Sequence, residues 1–301
     1  MAEGQFTVTA TVTDEVGNTA TATEIGVIDL TDPTISINPL NDTNDTTPLI
    51  SGSVADVPVG TTVTLVITDS NGVVQTITTT TNAQGVWQVE TLNELAEGDY
   101  TVTASASDEA GNTSSATATG TIDLTAPIIN INAIADSNDT TPTISGTTQG
   151  LNAGSTVTVT VTDSNGSAQV FATVTNADGS WSINIDQELA EGEFTVVAQT
   201  QDEAGNSAQD IETGVIDLTA PTITIDEFND SNDVTPIISG VVSGVDAGSV
   251  VTIILVDSNG NQQILTTTVN ADSSWQVGAN QVLAEGEFTI TATVSDPAGN
   301  Q

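Results

Sequence analysis

Along the whole chain, apolar residues recur on every second position in short runs. Examples are Val63, Leu65 and Ile67; Trp181, Ile183 and Ile185; and Phe288, Ile290, Ala292 and Val294. The positions between them are mostly Thr, Ser, Gln and Asn. A period of two marks strands with one buried and one wet face, and Thr, both β-branched and polar, suits the wet one. No stretch carries the 3.6-residue period of a helix. Clusters of Gly, Asn, Asp, Ser and Pro cut the middle of the chain into seven strands, A to G, expected at 128–132, 143–147, 155–162, 168–175, 180–185, 193–201 and 207–216.

The whole pattern repeats. Asp123-Leu124-Thr125-Ala126-Pro127 returns as Asp217-Leu218-Thr219-Ala220-Pro221 and, with one change, as Asp29-Leu30-Thr31-Asp32-Pro33, each 94 residues from the next. Trp87, Trp181 and Trp275 keep the same period. So do the turns that start at Asp69, Asp163 and Asp257 and those that start at Asp108, Asp202 and Asp296. A unit of this length can bury a core of its own, unlike a solenoid repeat. Seven short antiparallel strands in such a unit predict an all-β chain of tandem immunoglobulin-like β-sandwich modules arranged as a linear rod. The modules are expected at 29–122, 123–216 and 217–301, the last without its final strand. Residues 1–28 read as strands F and G of a preceding module. The tryptophans and Tyr100, Phe194 and Phe288 are expected to anchor the cores.

Charge narrows the function. The chain has no Lys, Arg or His and 40 Asp plus Glu. Self-repulsion cannot be relieved by internal ion pairs with basic side chains and must be relieved from outside, so the expected partner is a cation. Nucleic acid and anionic lipid are excluded as ligands, since both need basic residues to replace counterions. With no Cys and no Lys, neither disulfides nor Lys–Asn crosslinks can brace the modules. No apolar run is long enough for a membrane helix, so direct membrane insertion is not expected. Any secretion signal is expected outside this stretch.

Several motifs, in order, carry a resemblance. They are the Asp-Leu-Thr-Ala-Pro linker, Asp136-Ser137-Asn138-Asp139-Thr140-Thr141-Pro142 with Ile144-Ser145-Gly146, Ala177-Asp178-Gly179-Ser180-Trp181, Leu189-Ala190-Glu191-Gly192, and Asp202-Glu203-Ala204-Gly205-Asn206. Together they resemble the bacterial Ig-like extender repeats of giant repeats-in-toxin (RTX) adhesins over the whole chain. The resemblance implies calcium-bound extender domains, exported by type I secretion, that hold a terminal ligand-binding region away from the outer membrane.

Strand directions say which carboxylates should meet. Loops A–B, C–D and E–F and the end of G share one pole of a sandwich, and B–C, D–E and F–G share the other. At the joint after Asp123, the expected set is Asp42, Asn44, Asp45, Asp69, Asn71 and Asp123, facing Asp202, Glu203 and the backbone of Asn206, with Asn176 and Asp178 in reach. At the joint after Asp217 it is Asp136, Asn138, Asp139, Asp163 and Asp217, facing Asp296, where Pro297 replaces a Glu. Asp29 with Asp108 and Glu109 forms the first joint. Uncompensated, such clusters repel, and Ca2+, which takes six to eight oxygens, would resolve them. The competing reading is that these Asp and Asn residues only form turns, for which the sets at Asp69 and Asn82 are the strongest cases.

Catalysis has little to work with: His, Cys, Lys and Arg are absent, and the carboxylates repeat in every unit. The expected function is therefore structural, a calcium-stiffened spacer of an extracellular, bacterial cell-surface adhesin. Its partners would be calcium ions and neighbouring modules. The cut ends also allow a head-to-tail self-contact. The alternative is a binding module that recognises a glycan, a surface or another adhesin copy through exposed loops.

Overall fold

The computed structural model describes residues 1–229 and 232–301. Among them every helix or strand is a β-strand, as the period-two pattern requires, and no helix is long and apolar enough to cross a membrane. The chain forms two compact units: Met1–Ala126 together with Asp202–Asn206, and Pro127–Gln201 together with Ser207–Gln301.

The first unit opens with a hairpin, β1 (Gly4–Thr13) and β2 (Thr19–Ile28). Seven strands follow: β3 (Thr34–Ile37), β4 (Leu49–Ala55), β5 (Thr62–Thr68), β6 (Val74–Thr80), β7 (Val86–Glu90), β8 (Gly98–Ser107) and β9 (Thr113–Ile122). They make two antiparallel sheets, ordered β3-β4-β7 and β6-β5-β8-β9. The alternating residues of both, including Ile50, Leu65, Ile67, Trp87, Tyr100 and Val102, form one core. Thr, Ser and Val take the outer face of the larger sheet, and in this repeat only Glu90 and Asp99 among the carboxylates lie in strands. The charge is thereby moved to the loops.

The second unit repeats this order. β10 (Ile128–Ile131), β11 (Thr143–Gln149), β12 (Thr156–Thr162), β13 (Ala168–Val174), β14 (Ser180–Asn184), β15 (Gly192–Gln201) and β16 (Ser207–Ile216) form sheets β10-β11-β14 and β13-β12-β15-β16. These are the seven strands expected for the middle repeat, with ends shifted by at most two residues. β17 (Thr222–Ile223), β18 (Ile237–Ser243), β19 (Val250–Val256), β20 (Gln262–Thr268), β21 (Ser274–Gly278) and β22 (Thr289–Val294) form β17-β18-β21 and β20-β19-β22. Two further core clusters fill these sandwiches.

One contact explains the Ile-Ser-Gly motif of strand B. A Cβ on Gly146 would strike the Trp181 ring and the carbonyl of Asn130, and Gly52 and Gly240 sit the same way against Trp87 and Trp275. Only glycine lets strand A and the indole close on strand B together. Each tryptophan is 1% exposed, and removing such a ring costs about 3–5 kcal/mol. Among the described residues each indole N–H has no protein acceptor.

The third repeat departs from the other two. Tyr100 and Phe194 are fully buried, but Phe288 is only partly buried and packs edge-on against Phe228, ring centroids 5.6 Å apart at 86°. No described strand pairs with the second edge of β22.

Candidate metal centre

The loops at one end of each sandwich are tied to one another. In the first unit Thr43, in the A–B loop, forms a parallel bridge with Ile122 at the end of β9. Its N–H donates to Thr121 O at 3.1 Å and its carbonyl accepts from Asp123 N at 3.0 Å. At the same end Ser70 Oγ of the C–D turn donates to Glu97 O of the E–F loop at 2.5 Å. The pole expected from strand direction is therefore formed.

The F–G turn is a carboxylate-centred loop. Asp202 Oδ1 accepts the N–H groups of Gly205 and Asn206, each at 2.8 Å, and Oδ2 accepts Asn206 Nδ2 at 3.0 Å. Gly205 has φ +102°, a left-handed backbone that favours glycine. Asn206 Nδ2 has a second hydrogen, which goes to the carbonyl of Asp123 at 2.9 Å. Ala204 O accepts from Asn44 N at 2.9 Å. All of these residues belong to the first unit.

The second unit holds the same set. Asn300 Nδ2 donates to Asp217 O at 2.8 Å and to Asp296 Oδ2 at 2.9 Å, and Asn138 N donates to Ala298 O at 3.1 Å. Asn112 Nδ2 reaches Asp29 O at 3.2 Å. The Asn112 amide and the backbone N–H groups around it hold the Asp108 carboxyl below its usual range. At Asp296 burial pushes upward, but donation from Asn300, Gly299 and Ala298 outweighs it and the net shift is downward.

The linker Asp is placed differently. Among the described residues Asp123 Oδ1 accepts only Thr125 N, at 2.9 Å, and Thr125 Oγ1 donates to Glu97 Oε1 at 2.5 Å. Thr219 links Asp217 (2.9 Å) and Glu191 (2.6 Å) in the same way, and Thr31 links Asp29 (3.0 Å) and Glu3 (2.6 Å). Sequence reasoning did not place these glutamates beside the linker. Their signal was present in Leu189-Ala190-Glu191-Gly192 and its copy at Leu95, but adjacency to the linker emerges only when the E–F loop folds beside strand G.

Other residues expected as ligands also accept hydrogen bonds within turns. Asp69 Oδ1 accepts Asn71 N (3.0 Å) and Val73 N (2.8 Å), and Asp163 Oδ1 accepts Asn165 N (3.0 Å) and Ser167 N (2.8 Å). Asp45 and Asp139 accept from Thr47 and Thr141 in the A–B loops. Asp42 and Asp136 are exposed, and the charge on Asp42 adds to burial in raising the Tyr100 hydroxyl. Glu109 and Glu203 are exposed on their turns. Among the described residues no three Asp or Glu side chains meet as a metal-binding group. What each joint does offer a hard cation is oxygen alone. The linker Asp and its Glu partner lie beside one Thr, with the second oxygen of each carboxylate taking no protein donor among the described residues. Such a donor set fits Ca2+, with carbonyls and water completing the shell, better than any nitrogen- or sulfur-seeking metal.

Residues 27–124, 135–219 and 211–301 each match the family described as bacterial Ig-like domain, and 85–170 match its group 3. The chain belongs to the bacterial Ig-like domain family. Solved structures similar to this bacterial Ig-like chain include a tetra-tandem repeat in the extending region of a large adhesion protein, with 33% identity over 100% of this chain and 80% of that one and a TM-score of 0.36. Another is a Ca2+-stabilized adhesin that helps an Antarctic bacterium reach out and bind ice, with 24% identity over 98% and 81% and a TM-score of 0.39. A third comes from work on host cell surface retention of a 1.5-MDa bacterial ice-binding adhesin, with 25% identity over 89% and 93% and a TM-score of 0.41. Nothing among curated proteins matches the sequence.

Proposed function

We propose that the chain is a non-catalytic spacer of an extracellular, bacterial cell-surface adhesin. Its repeats 29–122, 123–216 and 217–301 act as modules of a linear rod that projects a distal ligand-binding region, and Ca2+ stiffens the joints. The names of the similar structures describe those proteins. For this chain the reading rests on one observation: the same joint chemistry, a linker Asp beside a Glu with an Asn amide on the linker carbonyl, recurs at Asp29, Asp123 and Asp217. A repeated joint is what a spacer needs, whereas a binding module needs one loop unlike the rest.

Asp29, Asp123 and Asp217, each with Glu3, Glu97 or Glu191, would hold the ion, and bound Ca2+ would supply the charge neutralisation that the chain lacks. At roughly 40 to 45 Å per module, three modules span about 130 Å. X-ray scattering is expected to give that length with calcium and a more flexible, shorter average in chelator. Equal extension in both overturns the role of calcium, and a compact particle in calcium overturns the spacer.

The reading also accommodates a head-to-tail contact between copies. Val8, Val12, Ile25 and Val27 are exposed on the first hairpin, and β22 presents an edge on which a second copy's hairpin could add as a heterologous contact. Sedimentation should then show growth with concentration, and a monomer at high concentration removes this element.

A further inference from the structure

We propose that Ser70 and Ser164, the second residues of two Asp-Ser-Asn-Gly turns, are positioning residues for the joints: they grip the main chain of Glu97 and Glu191 and so set where those carboxylates stand beside the linker. The inference rests on the calcium reading of the two glutamates, and the serines act through them.

Glu97 is held by two separate elements. Its carboxylate takes the hydroxyl of Thr125, from the linker, and its carbonyl takes the hydroxyl of Ser70, from the C–D turn, each at 2.5 Å. The turn that presents Ser70 is itself fixed. Asp69, which is buried, accepts Asn71 N and Val73 N through Oδ1, and its carbonyl accepts Gly72 N at 2.9 Å. The same hairpin follows the E–F loop further. Asp69 Oδ2 accepts Ala96 N at 3.4 Å, and Gln75 on β6 accepts Leu92 N (3.0 Å) and Asn93 N (3.1 Å) and donates to Asn93 O (3.2 Å).

The fit is close where it matters. Gly98 has φ +111°, a backbone that favours glycine, and a Cβ there would stand 2.9 Å from Ser70 Cβ. Gly192 meets Ser164 in the same way, and Ser164 Oγ donates to Glu191 O at 2.7 Å. The Glu-Gly pair of one motif therefore answers to a Ser 27 residues earlier in another. An ion that gathered a glutamate from a loose loop would have to order its main chain as well as its side chain, and the serine settles the main-chain part in advance.

NMR on the full chain tests this, with calcium titrated in and the Thr125 and Thr219 amides reporting the two joints separately. Ser70→Ala is expected to weaken calcium at the Thr125 joint about three- to tenfold, the effect of losing one hydrogen bond, and to leave the Thr219 joint unchanged. Ser164→Ala should do the reverse. In chelator, Ser70→Ala should quicken exchange of the Ala96 N–H by a similar factor while Val102 in β8 stays slow. A double-mutant cycle separates positioning from general loosening: once Glu97→Gln is in place, Ser70→Ala should have no further effect on calcium. The proposal is overturned if Glu97→Gln lowers affinity and Ser70→Ala does not, or if the two losses add in full, since Ser70 then does not act through Glu97. If Glu97→Gln itself leaves calcium binding intact, the calcium reading of this glutamate fails, and the positioning role falls with it.

Discussion

Asp202 and Asp123 belong to the same joint, repeat at the same pitch and are both exposed to the same excess of negative charge, yet they do opposite things. Asp202 gives both oxygens to its own turn. Asp123 gives one oxygen to Thr125 and leaves the other without a protein donor among the described residues. A carboxylate satisfied by N–H groups shapes the backbone, and one held beside a second carboxylate is fit to take a cation. Turn carboxylates should therefore answer to acid and mutation whether or not calcium is present, and linker carboxylates should answer mainly to calcium.

Acid should produce the largest contrast because it acts on several turns at once. Donation by Asn18, Asn112 and Asn261 side chains holds Asp14, Asp108 and Asp257 below the usual carboxylate range, and at Asp296 donation outweighs burial. Their folded values are lower than their unfolded ones. The stability they add is thus fully present above the ordinary value of about 3.9 and is lost as pH falls through the lower folded value. NMR titration in chelator should show the Gly111 and Asn112 amides holding their positions to below pH about 4 before the turns open. Opening of the turns at higher pH, in step with exposed carboxylates, would remove the distinction.

Asp202→Ala asks for the same loss at one turn. Three donors lose a charged acceptor, and denaturant unfolding should show a cost of about 2 kcal/mol, equal in calcium and chelator. If the cost vanishes in chelator, Asp202 acts as a metal ligand, as the sequence reading expects.

Much of this was legible before any coordinates. Period-two alternation around Val63, Leu65 and Ile67 fixes which face is inside, and the fold places those side chains in the core. The poles were also legible, because strand count alone determines which loops share an end. The apportioning of carboxylates was not. Asp-x-x-Gly-Asn reads in sequence as a ligand run, and only the path of the Gly205 backbone brings both N–H groups onto Asp202. Glu97 was hidden for the opposite reason: its neighbours in sequence, Ala96 and Gly98, say nothing about Thr125, which lies 28 residues away. The partial burial of Phe288, edge-on against Phe228, departs from the core position expected for it, which the repeat pattern alone does not reveal.

On the linker side, Asp123→Ala should cost little in chelator, since one exposed bond to Thr125 N is lost. It should remove the calcium increment of its joint, which is about 1.4 kcal/mol when free calcium is ten times its Kd. Thermal unfolding with and without calcium checks this. An equal loss in both conditions would make Asp123 a turn residue like Asp202.

The smallest effect, and the sharpest, is expected of Thr125→Val. Valine keeps the shape and the N–H that meets Asp123 Oδ1 but removes the hydroxyl that donates to Glu97 Oε1. The bond is exposed, so its loss should change stability in chelator by no more than about 0.5–1 kcal/mol. Calcium is affected by a different route. Without the hydroxyl, Glu97 is free to swing away from the linker, and gathering both carboxylates around one ion then requires ordering a side chain that the wild type already holds, an entropy of up to about 1.5–2 kcal/mol. Calorimetry should show weaker calcium binding at this joint and unchanged binding at the joint of Thr219, whose own Glu191 contact is intact. Glu97→Gln should weaken the same site while its side chain still accepts from Thr125. If both substitutions leave affinity untouched, the ion does not use Glu97, and the pairing of Glu and Asp at the linker is a surface hydrogen bond with no part in the joint.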